Sequence, residues 1–251
     1  MEDRSLKLSI DYTDPPLITA AGDLDYHTCG EMETFISRAL DRSSVVRLEL
    51  ADLVFVDSSG LKVLLSMAQK ARDAGGVLEV LSMSAQLDRV LTLSGFARLF
   101  ELPDAAARVP TLAIHHAQVA RELAFDIPCE KNACGVARDR VCRFASALSL
   151  DHADLDDLRL AVGEAVSNAV KHAAEPEDSI QVLCDSHDGR IRVTIRYPGA
   201  EFDPECIPVP TADSGCNGGM GIYFMRLVMD SVDYDFRDGV TTVTLTKRLR
   251  D

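Results

Sequence analysis

The sequence predicts two mixed domains in tandem, an α/β unit over residues 1–103 and an α+β unit over residues 121–251, with residues 104–120 as the linker. Three observations carry this division. Through about the first hundred residues, segments of period-two apolar alternation trade places with segments of helical period. The string PDAAARVP at 103–110 then interrupts both periods. Beyond it, long helical patterns are followed by strands in consecutive pairs, the order expected when a sheet carries helices on one face.

Each element has its own justification. LKLSIDY at 6–12 alternates as a strand, Asp14-Pro15-Pro16 turns the chain, and residues 17–21 resume it. Gly22-Asp23-Leu24-Asp25 precedes a helical pattern over 29–40. VVRLEL at 45–50 reads as a buried strand, residues 53–56 as a further short run, and 61–74 as a helix stopped by Gly75-Gly76. A strand at 77–81 and a helix at 87–92 complete the first domain. A short helix at 111–120 would join the two. In the second domain a strand at 123–127, a helix at 130–148 and an acidic capping run at 151–157 lead into the helix 158–173. Strands at 179–185 and 190–197 follow, then the aperiodic Pro- and Gly-rich stretch 202–217, read as a lid. A helix at 222–229 and a hairpin, 232–236 with 240–246 around Asp238-Gly239, close the chain.

Composition narrows the function. Apolar content of 47% in 251 residues is ample for one or two cores. No apolar run approaches the ~18 residues of a membrane span, and MEDRSLKLSI lacks a signal peptide's apolar stretch, so no membrane partner and a cytoplasmic location are expected. A net charge of −14 repels phosphate backbones and argues against nucleic acid. It does not exclude ATP, whose charge is met locally. The seven cysteines (29, 129, 134, 142, 184, 206 and 216) form no C-x-x-C pair and read as reduced thiols rather than as a zinc site or disulfide framework. His115-His116 falls in the linker and reads as solvated.

The richest stretch is LRLAVGEAVSNAVKHA at 158–173. On a helix, Leu158, Val162, Val166, Ala169 and Ala173 share one face, and Glu164, Asn168 and Lys171 fall together on the opposite one. Glu164 and Asn168 stand one turn apart. A carboxylate can take a proton from a hydroxyl, and an amide oxygen beside it can hold a hard divalent cation that also carries phosphates. The alternative is an amphipathic surface helix whose polar face meets only water. About 50 residues further on, Gly218, Gly219 and Gly221 in GGMGI open another helix, where backbone N–H groups and the helix dipole favour an anion.

This combination resembles the histidine-kinase-like ATPase fold, and within it the anti-sigma-factor serine kinases of bacterial partner-switching systems. LAFDIP at 123–128, DLRLAVGEAVSNAVKHA, the FDP at 202–204, GGMGI and the ending VMDSVDYDF…LTKRL carry the resemblance over roughly residues 121–249. Likewise GDLD and VFVDSSGLKVLL look like a STAS domain, the fold of anti-sigma-factor antagonists, over about 4–103. The resemblances imply an N-terminal STAS-like α/β domain and a C-terminal histidine-kinase-like ATPase α/β sandwich. They further imply Mg2+ and ATP bound between the Asn168 helix and the Gly218–Gly221 loop, with Asn168 on the metal, Lys171 and Gly199 also nucleotide contacts, and Glu164 as general base. A sigma factor or a STAS-domain antagonist becomes the expected partner, and a homodimer the expected assembly. The phosphoacceptor of the antagonists maps to Ser58, expected exposed at a helix N-terminus where the dipole tolerates phosphate. Asp57, Ser58 and Ser59 could also be N-cap residues alone.

One position departs from the pattern. The kinases carry D-x-G before the lid, and that aspartate accepts from the adenine amino group. Here Tyr197 stands where the aspartate should be, before Gly199, and Glu201 replaces a small residue. Losing a charged acceptor removes about 1.5–3 kcal/mol, about ten- to hundredfold in affinity. Two readings therefore stand: a protein-serine kinase fused to its antagonist-type domain, or a catalytically weak or inactive module that sequesters regulators.

Overall fold

The computed structural model describes residues 4–100, 122–130, 132–148, 150–172, 178–207 and 219–249. It divides into two compact units. The linker 104–120, its expected short helix and most of the expected lid lie outside the described residues, as does Gly218.

The N-terminal unit is a four-stranded sheet in the order β1 (Lys7–Asp11), β2 (Leu17–Leu24), β3 (Val45–Val56), β4 (Val77–Met83). β1 and β2 run antiparallel, and the remaining pairs are parallel. Helices α1 (Cys29–Leu40) and α2 (Ser58–Asp73) supply the crossovers that parallel strands require, and α3 (Ala85–Ser94) follows β4. Alternation along β2 and the first half of β3 sends Ile18, Ala20, Val46, Leu48 and Leu50 into the core, against Met32 and Ile36 of α1 and Leu61, Leu64 and Leu65 of α2. β3 runs unbroken through Ala51-Asp52, where the sequence suggested a pause, because β2 pairs across both residues with bulged register.

The C-terminal unit is a five-stranded antiparallel sheet in the order β5 (Glu122–Pro128), β6 (Ser179–His187), β7 (Arg190–Pro198), β9 (Val240–Arg248), β8 (Ser231–Arg237). Helices α4 (Ala133–Ala145), α5 (His152–His172) and α6 (Met220–Val228) pack on one another and on this sheet. Burial alternates along β7, β9 and β6 as far as Cys184, so one face is covered and the other half exposed. The predicted fold class, α/β followed by an α/β sandwich, is borne out. α4 is shorter than the expected 130–148 helix, and α5 starts earlier than 158 because Asp151 Oδ1 accepts from the Asp154 N–H at 2.7 Å, satisfying one of the first-turn donors.

Among the described residues, no helix is long and apolar enough to cross a membrane. The described cysteines carry no disulfide.

Candidate functional site: an open helix start over a buried acid and amide

α5 is enclosed by α4, α6 and the sheet, so its middle is buried nearly all round. That corrects the picture of a polar face meeting water. Glu164 is 1% exposed, while Asn168, one turn later, is half-buried. Lys171 is exposed and is not among the residues lining the cavity described next. Glu164 lies one turn below the cavity wall rather than on it.

A cavity of about 320 Å³ sits in this unit, lined by Asn168, His172, Tyr197, Ala200, Glu201, Phe202, Ile207, Gly219, Gly221 and Ile222. It brings together the end of α5, the end of β7 with the segment after it, and the start of α6. Three of the predicted residues, Asn168, Gly219 and Gly221, share one wall system, and Tyr197 lines the space without closing it. Gly199 lies directly behind: a Cβ there would meet Tyr197 Cε2 at 2.9 Å and Thr241 Oγ1 at 3.2 Å.

α6 begins at Met220, two residues before the expected start, and Gly219 is its N-cap at φ 76°, a conformation that favours glycine. No side chain caps this end. The Tyr223 N–H is used by Gly219 O at 3.0 Å, and among the described residues nothing takes the earlier first-turn N–H groups, which suits them to a ligand. The donor set fits the implied groups: amide hydrogens for phosphate, the Asn168 carboxamide oxygen for a hard cation.

Aromatic packing holds the segment after β7. The Phe202 ring meets Tyr234 and Phe236 of β8 edge-on at 5.3 and 5.2 Å. Asp203 Oδ1 accepts from the Glu205 N–H at 2.9 Å, and Glu205 pairs with Arg226 of α6. Below the cavity, burial raises the Tyr234 phenol's pKa, as does the nearby Tyr197; Arg226 opposes them, Glu164 adds to the rise and the Asn168 carboxamide opposes it. Burial likewise raises the Tyr197 phenol's pKa, offset in part by the Thr241 hydroxyl. His172, Phe202, Ile207 and Ile222 were missed from the sequence. His172 had a signal, since it follows Asn168 by one turn.

In the N-terminal unit, Asp57 is the N-cap of α2 and 3% exposed. Its Oδ1 accepts from Ser59 and Gly60 N–H at 2.8 and 2.9 Å, and its Oδ2 from Tyr26 N–H at 3.1 Å. Ser58 is 8% exposed, which corrects the expectation of an exposed serine. The reason is close packing. Gly60 stands so near Leu24 that a Cβ would meet its carbonyl oxygen, and the Gln86 amide brackets Val56 N–H and C=O at 3.0 and 3.1 Å. Ser59, next along, is half-buried, and Tyr26 is 50% exposed beside it.

Comparison with known proteins accords with both units. Residues 127–247 match the histidine kinase-like ATPase domain model and residues 10–109 the STAS domain model. The chain is 33% identical over 133 residues to serine-protein kinase RsbW of Bacillus velezensis, spanning 49% of this chain and 82% of that protein. It is 31% identical over 135 residues to RsbW of Bacillus pumilus, spanning 49% and 83%. An anti-sigma factor antagonist from Mycobacterium paratuberculosis is similar in structure at 22% identity and a TM-score of 0.37, over 41% of this chain and 90% of that one. Through its C-terminal half the chain belongs to the RsbW serine-protein kinase family of histidine kinase-like ATPases, with a STAS domain preceding that half.

Proposed function

We propose that the chain is a partner-switching regulator of transcription whose C-terminal unit is an ATP-dependent protein-serine kinase and anti-sigma factor. The observation that carries this is the pairing of a buried carboxylate and a cavity-lining carboxamide on α5 with the uncapped glycine start of α6. In this reading the amide hydrogens after Gly219 orient the phosphates of ATP, and Gly221 leaves room for them. Asn168 would hold Mg2+, which supplies neutralisation of the phosphate charge. Lys171 and Gly218 belong to the same nucleotide site in this reading. Glu164 takes the proton from a serine Oγ as that oxygen bonds to the terminal phosphorus and the bond to the leaving diphosphate oxygen breaks. Hydrogen bonds of a general base often tighten only once substrate is bound, which suits its depth below the wall.

The substrate serine belongs to a STAS partner, and Ser58 of this chain is the candidate acceptor. Because Ser58 is buried, its transfer requires the first turn of α2 to open. A sigma factor and a STAS-domain antagonist are the partners in this reading, a homodimer the assembly and the cytoplasm the compartment. Incubation with labelled ATP and magnesium, repeated with Glu164→Ala and Ser58→Ala, tests it. Label lost in both variants supports self-phosphorylation.

Tyr197 favours a second reading, an adaptor that sequesters regulators without catalysis, since a phenol replaces the acceptor-only group of the kinases at the cavity wall. Absence of nucleotide binding at millimolar ATP would select it.

A further inference from the structure

Which base the cavity takes is set by the part of its wall that does not face phosphate. Apart from Asn168, His172 and the glycines, the described lining is largely apolar or aromatic, suited to a flat base. Behind it, Tyr197 of β7 and Thr241 of β9 are direct cross-strand partners. Their side chains leave the same face about 5 Å apart. They are 2% and 1% exposed. Thr241 Oγ1 is buried beside the Tyr197 phenol, and the Tyr234 phenol oxygen is buried on the next strand, toward Asn168. A hydroxyl can donate one hydrogen and accept through two lone pairs, so bonding capacity remains beside the Tyr197 wall. Gly199 packs closely on both side chains, with Thr241 Oγ1 directly behind it. The carboxylate among the described lining residues is Glu201, which is exposed.

We propose that Tyr197 and Thr241, directly or through one water, read the base with hydroxyls that both donate and accept, so that the site takes purine nucleoside triphosphates with little discrimination between adenine and guanine. This rests on the nucleotide-binding reading above. A carboxylate only accepts, whereas a hydroxyl turns its hydrogen to suit the partner. Adenine presents an amino donor at the position where guanine presents a carbonyl acceptor. A fixed acceptor pairs with the first and repels the second, and sites built on such fixed pairing reject the wrong analogue strongly. Two rotatable hydroxyls satisfy either edge.

Calorimetric titration of the full chain with Mg-ATP and with Mg-GTP tests this. The two dissociation constants are expected within about tenfold of each other. Tyr197→Asp should raise the preference for ATP over GTP by about tenfold or more, and Thr241→Val should weaken both nucleotides in similar proportion. The wild-type comparison needs no variant, so a misfolded Tyr197→Asp would not shield the proposal. A wild-type preference for ATP of about a hundredfold or more overturns it while leaving nucleotide binding intact. Binding of neither nucleotide at millimolar concentration overturns it together with the reading it rests on.

Discussion

Two helix starts in this chain meet the same electrostatic demand in opposite ways. At α2 the first-turn amide hydrogens turn to a carboxylate of the chain itself, since Asp57 accepts from Ser59, Gly60 and the distant Tyr26. At α6 the cap is Gly219, which has no side chain to offer, and the turn opens on a cavity. The first start is already saturated with negative charge. Phosphate added at Ser58 would compete with Asp57 for the same donors, so modification there perturbs a finished structure. The second start keeps donors unused among the described residues, so an arriving anion would complete it. The difference teaches how one dipole is met by the chain's own carboxylate in one place and left to a glycine cap beside a cavity in another.

The contrast can be broken or sharpened by substitution. The largest effect is expected from Glu164→Gln, which keeps shape and removes the base. Initial rates of label transfer to serine should fall by about 10²–10⁴-fold with Mg-ATP affinity little changed. A matching loss of affinity in calorimetry would mean that Glu164 only supports the fold. Asn168→Ala comes next. Removing a charge-assisted contact of about 1.5–3 kcal/mol should weaken Mg-ATP by about ten- to hundredfold. Asp57→Ala probes the saturated start: urea unfolding should show the N-terminal unit about 1–2 kcal/mol less stable, with nucleotide binding unaltered. If nucleotide affinity moved instead, the two starts would not be independent. Smallest is Gly219→Ala, where a Cβ at φ 76° costs about 1–2 kcal/mol; part of that should appear as a several-fold rise in the Mg-ATP dissociation constant.

Much of the fold was legible because periodicity is local. The 29–40 helix and the Asp238-Gly239 hairpin follow from spacing and turn chemistry alone, and the structure has both. What escaped depends on distant partners. Ser58 looks exposed in a DSSG string, and only the packing of Gly60 on Leu24 and of Gln86 on Val56 buries it. Glu164 has the spacing of a surface residue, and only the neighbours α4 and α6 enclose it. Asn168, Gly219 and Gly221 were named from motif and spacing, and they line one cavity. Thr241 was not named, because its place opposite Tyr197 comes from a strand pairing across more than 40 residues that no local rule specifies.

One lysine ties these parts together at a distance. Lys247 Nζ, on β9 and 8% exposed, donates to Asp157 Oδ2 at 2.8 Å and to Val228 O at 2.7 Å, and stands 3.3 Å from Asp154 Oδ1. The aspartates belong to the first turns of α5 and Val228 to the last residue of α6. Removing its charge would strand two buried carboxylates, a loss of about 3–5 kcal/mol. The rivet lies seven residues before Glu164 on α5, about 10 Å along the helix axis. α5 and α6 are thus pinned to each other through β9 at the ends remote from Asn168 and Gly219, so the spacing of the two cavity-bearing helices is set by a charge that lies outside the cavity.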